Sequence, residues 1–327
     1  MARIFEAAAE RVLSAFRRQR PLRTGSLIIT LFGDALAPRG GEISLASLIA
    51  LLAGFGVTER LVRTAVGRLA KEGWIEAQRS GRLSYYGLTP TGRERFAQAT
   101  RRIYGPPSAD WLGRWTLVLS GGSGHSRRRL RNELEWLGFG ALAHGVFAHP
   151  DLEGDAVRRA LEEPSLLDGA LVLSSHSADA ASAKRLVSLG WDLADLERRY
   201  RRFLKLFAPV LTAASRREAG SGAAHLAVRT LLVHEYRRVH LRDPLLPYSL
   251  LPADWAGAAA YELCRSLYAL VYQPADTYLS ECATTRQGAL PGASSEVQQR
   301  FGGLQGPFAA ARAPLKGIKP RDRKSVV

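Results

Sequence analysis

The stretch TERLVRTAVGRLAKEGWIEAQRSGRLSYYGLTPTGRERF, residues 58–96, admits few folds. Val62, Ala65, Val66 and Leu69 recur at the spacing that puts them on one stripe of an α-helix, while Arg60, Arg63, Thr64, Gly67 and Lys71 fall opposite and Arg68 on the flank. Thr58 is placed to cap that helix, and Gly73 to end it at the first residue past its C-cap. WIEAQR and RLSYYGL then read as two strands of a hairpin turning at Ser80-Gly81, with Arg79, Ser80 and Arg82 at its tip. Alternation puts Tyr85 on one face with Leu83, expected to be the inner one, and Trp74, Leu83 and Tyr85 are expected mostly in the core. Thr91 with Glu94 predicts a capping box for the following helix.

Upstream, Ser26 is placed to cap a helix through Phe32, and APRGG breaks the chain. Ser44 is placed to cap a second helix, in which Leu45, Leu48, Ile49 and Leu52 have helical spacing and which ends at glycines 54 and 56. The order is short helix, glycine turn, helix with a cationic front, hairpin with a cationic tip. A single basic helix face is most often a solvated surface; the ordered combination is what carries information. An apolar-backed helix fronted by arginines and small residues suits a major groove, since the guanidinium fork makes two parallel bonds to a guanine edge. Arginines on a hairpin tip suit phosphates or the minor groove.

The charge distribution agrees with that reading. The 327 residues are 46% hydrophobic, enough for two or three domains with cores, and the formal net charge is +16. Residues 1–105 hold 17 Lys/Arg against 8 Asp/Glu, and residues 312–327 hold 6 against 1, so both ends are basic and the middle is balanced. Such asymmetry points to a polyanionic partner. Cys264 and Cys282 are the only cysteines, which excludes a disulfide framework or a four-thiolate site and fits a reducing cytoplasm. MARIFEAAAERVLSAF carries Glu6 and Glu10 where an export signal avoids acids and reads as an amphipathic helix. The longest apolar run, residues 45–57, is too short to span a bilayer.

With these residues in view, the sequence from SLIITLFGDALAPRGGEISLASLIALLAGFGVTERLVRTAVGRLAKEGWIEAQRSGRLSYYGL onward resembles the PaaX-type repressors, regulators of bacterial phenylacetic acid catabolism. RIYGPP, WLGRWTLVL, EWLGFGALAHGVFAHP, WDLADLERRYRRFLKLFAPV and HEYRRVHLRDPLLPYSLLPADWAGAAAYELCRSLYALV continue the likeness, over about residues 24–282. The resemblance implies a homodimer in the bacterial cytoplasm, associated with the nucleoid, that binds a palindromic double-stranded DNA operator and releases it on binding phenylacetyl-coenzyme A. The expected fold class is α+β: an N-terminal helix or arm (1–23), a winged helix-turn-helix (24–105), a ferredoxin-like, Cas2-like central domain (106–190), a mostly helical dimer and effector domain (191–285) and a basic disordered tail (286–327) adding general attraction to DNA.

The middle supports such a module independently, with RWTLVLS, GALAHGVFA and GALVLSS as strands and SRRRLRNELEWLG and DAVRRALEE as helices. The Cas2 likeness raises an RNA-binding or nuclease-related alternative. Such nucleases are expected to carry an aspartate at the end of the first strand, where this chain has Ser120, with Asp110 before the strand, so metal-dependent cleavage is not expected. SGGSGHSRRR, residues 120–129, lacks the ending of a P-loop and reads as a flexible loop rather than a phosphate site. Residues 191–215 predict one long amphipathic helix with Leu196, Tyr200, Phe203, Leu206 and Phe207 on its apolar side. His234, Glu235, His240 and Asp243 are ligand-type residues, but the histidines are six apart and share no helix face, which favours capping or core hydrogen bonding over metal. Arg237, Arg238 and Arg242 are candidates for coenzyme A phosphates, with a structural ion-pair role at least as strong. No catalytic constellation, metal site or resident cofactor is expected.

Overall fold

The computed structural model describes residues 3–106, 111–121, 124–150, 152–161, 164–216 and 220–304. The N-terminal part contains α1 (Arg3–Arg17), α2 (Thr24–Leu31), β1 (Glu42–Ser44), α3 (Leu45–Ala53), α4 (Glu59–Lys71), β2 (Ile75–Ser80), β3 (Leu83–Leu88) and α5 (Pro90–Tyr104). A π-helical turn at Phe32–Leu36 and a 3-10 turn at Ala37–Arg39 extend α2. The strands form an antiparallel sheet in the order β1-β3-β2, with Ile43 opposite Tyr86 and Ile75 opposite Leu88.

Three local expectations are corrected. Helix α2 begins at Thr24, and Ser26 lies inside it with its hydroxyl accepting from Arg237 at 2.8 Å. Helix α5 begins at Pro90, whose fixed φ suits the first helical position, and its cap is Thr89, accepting from the Gly92 amide at 2.9 Å, rather than Thr91. Leu83 and Tyr85 share a face of the hairpin, but the main core lies against the opposite face, on Ile43, Ile75, Tyr86 and Leu88. Tyr85 is buried nonetheless, whereas Leu83 is 56% exposed.

The central domain runs β4 (Arg114–Ser120), α6 (Gly124–Trp136), β5 (Gly140–Ala143), β6 (Val146–His149), α7 (Gly154–Ala160), β7 (Ala170–His176) and α8 (Ala180–Gly190). The single strand expected in GALAHGVFA is two strands, because Gly145 at φ +75° permits a tight turn between them. The four-stranded antiparallel sheet has the order β5-β6-β4-β7, the ferredoxin-like arrangement. Val118, Leu130, Leu134, Phe147 and Val157 make its own core between sheet and helices. Asp110 lies outside the described residues, and Ser120 ends β4 with its amide donating to the Gly145 carbonyl at 2.8 Å.

The helical part comprises α9 (Leu193–Ser215), α10 (Gly222–His240) and α11 (Ala256–Cys282), followed by a two-residue hairpin of β8 (Thr284–Thr285) and β9 (Gly288–Ala289) and a 3-10 segment at Ser295–Gly302. Leu196, Tyr200, Phe203 and Phe207 of α9 are buried as their spacing requires. Helix α10 is buried almost all round because α1, α2, α9 and α11 pack against it. Helix α1 is therefore no free arm: Phe5 stacks on His225 and Phe16 meets His234 edge-on. Nor does a disordered tail begin at 286, for Leu290, Val297, Arg300 and Phe301 are buried; what lies from 305 onward is outside the described residues.

A candidate nucleic-acid interface

Helices α3 and α4 are held at their angle by their caps and the turn between them. The Ser44 hydroxyl accepts from the Ser47 amide at 3.1 Å, Gly56 takes φ +76° in the turn, and the Thr58 hydroxyl faces the Leu61 amide at 3.5 Å. Val62, Ala65, Val66 and Leu69 are buried, so the remaining face of α4 turns outward. Arg60, Arg63, Thr64, Gly67, Arg68 and Lys71 are all exposed there, and Arg79, Ser80 and Arg82 are exposed around Gly81 at the tip of the β2–β3 hairpin.

The charges are not equivalent. Arg63 pairs with Glu59 at 2.7 Å, and Arg68 pairs with Glu72 at 3.4 Å. The Arg68 guanidinium also lies against Gly25, where an added Cβ would sit 2.4 Å from its Nη2, so this side chain reaches back along α2. Among the described residues Arg60, Lys71, Arg79 and Arg82 have no ion-pair partner. The exposed pairs of Arg63 and Arg68 are each worth less than about 1 kcal/mol and exchange readily for a phosphate or base. Thr64 donates its hydroxyl to the Arg60 carbonyl at 2.9 Å. An added Cβ at Gly67 would meet nothing within 4 Å, so packing inside the chain gives no reason for a glycine there.

Behind this surface lies a polar seam, half-buried at Ser26 and Arg237 and buried at Thr30, His234, Asp34 and Arg229, that joins α2 and the turn after it to α10. Arg237 donates to the Ser26 carbonyl, the Ser26 hydroxyl and the Thr30 hydroxyl, each at 2.8 Å, and His234 Nδ1 meets Thr30 at 3.0 Å. Further along, Asp34 receives Arg229 at 2.7 Å, Arg300 at 2.9 Å, and the hydroxyls of Tyr104 and Tyr268 at 2.7 and 2.9 Å. Burial alone would raise the Asp34 pKa, but the two guanidinium groups and two hydroxyls outweigh it and hold the carboxylate below its ordinary range. Burial, with Arg237 and Arg238 adding to it, keeps His234 neutral, down to about 3. His240 is lowered to about 4 by burial, and the Arg102 carbonyl, which its Nε2 meets at 3.0 Å, only partly opposes this. With Nε2 as the donor, Nδ1 accepts from Tyr236 at 3.1 Å, while the Tyr200 hydroxyl, 3.2 Å from Nδ1, donates its proton to Asp243 at 2.7 Å.

The structure does not bring Arg237, Arg238 and Arg242 together as one ligand site. Arg237 spends its donors on α2, Arg238 pairs with Glu235 at 3.1 Å, and Arg242 is exposed. Arg237 is thus a structural residue, corrected from its candidacy for phosphate. The Asp34 cluster escaped sequence reasoning; its one visible signal was a lone acid inside the apolar run LIITLFGDALA.

A basic surface built on a helix pair and hairpin is followed along the chain by a ferredoxin-like domain and a helical domain, the build of a modular protein. Three family models match in register with these parts: PaaX-like protein over residues 23–92, the PaaX central Cas2-like domain over 108–187 and the PaaX-like C-terminal domain over 191–281. The chain is 40% identical over 291 residues to the transcriptional repressor PaaX of Escherichia coli (strain K12), covering 87% of this chain and 92% of that protein. It belongs to the PaaX family of repressors. A solved structure, the uncharacterised protein Rv0674 from Mycobacterium tuberculosis, is similar with a TM-score of 0.47 and 24% identity, over 71% of this chain and 89% of that one. No helix among the described residues is long and apolar enough to cross a membrane.

Proposed function

We propose that the chain is a homodimeric winged-helix repressor of genes for phenylacetate or a related aromatic acid, holding a palindromic operator and releasing it when an aryl-acyl-coenzyme A thioester such as phenylacetyl-coenzyme A binds. The observation that carries the DNA reading is the exposed front of α4 beside the hairpin tip, with Arg60, Lys71, Arg79 and Arg82 free of ion-pair partners among the described residues. In this reading Arg60, Arg63 and Thr64 meet base edges, Gly67 lets the backbone come close, Lys71 holds a phosphate, and Arg79, Ser80 and Arg82 follow the backbone or minor groove. Arg68 acts from the flank. For the thioester, the support is family membership together with Arg242 and Arg238, whose exposed or partly exposed guanidinium groups suit phosphate oxygens.

The test is binding of the purified protein to its own upstream DNA against a scrambled duplex at one fixed physiological salt concentration, since electrostatic affinity changes steeply with salt. Selective binding abolished by phenylacetyl-coenzyme A and untouched by coenzyme A alone is the expected result. Selective binding that no acyl thioester changes would overturn the inducer, and equal binding to both duplexes would overturn operator recognition.

A further inference from the structure

After α11 the chain turns back and runs along the segment that leads into the DNA reader, in the opposite direction. Thr284 donates its amide to Ser47 Oγ and its hydroxyl to Ser44 Oγ, both at 3.1 Å. Arg286 gives its amide and its Nε to the two oxygens of Glu42 at 2.8 and 2.9 Å. The Pro291 carbonyl receives Arg39 at 2.6 Å, the Ser294 amide donates to the Pro38 carbonyl at 2.8 Å, and Arg300 reaches the Asp34 carbonyl and carboxylate at 2.8 and 2.9 Å. From residue 284 to 300 the partners thus descend from 47 to 34. Ala283, Leu290, Val297 and Phe301 are buried along the way, and Phe301, ringed by Tyr104, Tyr236, Tyr261 and Tyr268, is held at φ +54°. A bulky side chain keeps that backbone conformation only where its surroundings over-determine it. The C-terminal family model ends at residue 281, so all of this lies beyond it.

We infer that this C-terminal strap is a positioning element for operator binding, fixing the angle at which each protomer of a dimer presents α3 and α4. The inference rests on the dimeric, palindromic reading proposed above. The strap bonds to β1 and to the cap of α3, and to none of the residues proposed to touch DNA, so it acts on where the reader points rather than on what it reads. Two half-sites are engaged together only when two readers sit at the half-site spacing, and a reader that tilts loses the gain from simultaneous binding while keeping its affinity for a single half-site. Arg286 and Glu42 are the place to test this, because their side chains are 44% and 19% exposed and sit clear of the buried anchor at Arg300.

The experiment uses the full chain with R286E, E42R and the double exchange. The probes are a palindromic duplex selected from a random-sequence library by the unaltered protein, and the same duplex with one half scrambled. Each single reversal should keep half-site binding within about twofold and lower the palindrome-to-half-site ratio by about threefold or more, and the double exchange, which re-forms the ion pair though not the bond from the residue 286 amide, should recover part of the lost ratio. Any change in general attraction to DNA acts on both duplexes and cancels in the ratio. Equal losses on both duplexes, an unchanged ratio, or a double exchange that restores nothing would overturn the positioning role. If the unaltered protein shows no advantage on the palindrome, the dimeric reading fails and the strap proposal with it; if it shows the advantage and the variants keep it, the strap proposal alone fails.

Discussion

Replacing Gly67 by alanine separates what the fold needs from what the DNA needs. Gly67 lies one helical turn after Arg63 and one before Lys71, on the outward face of α4, and a Cβ there meets nothing within 4 Å. Within the free protein the change only removes backbone entropy from the unfolded chain and improves helix propensity, a gain of about 0.5–1 kcal/mol. Against a groove wall already in contact with the backbone, an added methyl has to displace something, and overpacking of this kind costs about 1–3 kcal/mol, which is about fivefold to 150-fold in affinity. Stability and binding should therefore move in opposite directions. Urea unfolding gives the first quantity, and titration of the operator duplex at fixed salt the second. A Gly67→Ala protein that is more stable and binds the operator undiminished would refute close docking of this face; one that is less stable would refute the open geometry around the residue.

Three other perturbations follow from the same geometry. Asp34→Asn leaves Arg229 and Arg300 buried with only Asp276, 3.5 Å from Arg229, as counter-charge, and should cost about 3–5 kcal/mol in urea unfolding; a loss below about 1 kcal/mol would show that the carboxylate is not the charge holding the cluster. His234 and His240 have folded pKa values near 3 and 4, below the unfolded value of about 6.5, so the unfolded chain binds more protons on acidification; their contribution is whole above pH 6.5 and is lost as pH falls from there toward 4, at up to about 2.7 kcal/mol per pH unit for the pair. The corresponding His→Gln double variant should flatten the stability profile over that range, and an unaltered slope would assign the loss to other groups. Arg63→Ala should weaken operator binding by about 1–3 kcal/mol while sparing scrambled DNA, whereas Lys71→Ala should weaken both alike and lower the salt slope by about one; matching losses from the two variants on the two duplexes would end that division of labour.

The reader was legible because each part of it is local. Caps at Ser44 and Thr58, the stripe from Val62 to Leu69, and the two strands around the Gly81 turn depend on neighbours within a few residues, and the structure has them where spacing put them. Errors arose where tertiary demand overrode a local signal. Ser26 looked like a cap and is instead an acceptor for Arg237, 211 residues away. Leu83 and Tyr85 were correctly paired on one face, but alternation cannot say which face of a hairpin meets the core. The least legible part was residues 286–304: their glycine, proline and basic composition reads as disorder, while their order comes from Asp34, Glu42 and Ser44, which sequence gives no means of pairing with them. Arginine likewise reads the same whether it faces DNA, as Arg60 does in the proposal, or is locked inward, as Arg229 is at 1% exposure.

On the function proposed above, the position of the seam restricts how a ligand releases the DNA. A ligand shifts the reader only by the difference in its affinity for two arrangements, and moving an equilibrium from 1:99 to 99:1 takes about 5.5 kcal/mol. The front of α4 is separated from the helical domain by its own buried stripe, so the physical links run through α2 and the π-helical turn after it, bonded to α10 through Ser26, Thr30 and Asp34, through the strap along residues 34–47, through α1, whose Arg17 donates to the Gly54 carbonyl in the α3–α4 turn, and through α5, whose Arg102 donates to the Asp243 carbonyl. Ser26 and Thr30 of α2 and Asp34 of the π-helical turn that extends it are four residues apart and face Arg237, His234 and Arg229 in the reverse order along α10. Leaving one such buried group unpaired costs about 1–3 kcal/mol. Freeing two or three of them is therefore comparable with the whole of what a tightly bound ligand supplies, and intermediate displacements that strand donors without new acceptors are worse than either end state. A basic surface mounted this way stays in place under thermal fluctuation and, on the proposed mechanism, yields to a ligand that offsets several of these bonds together.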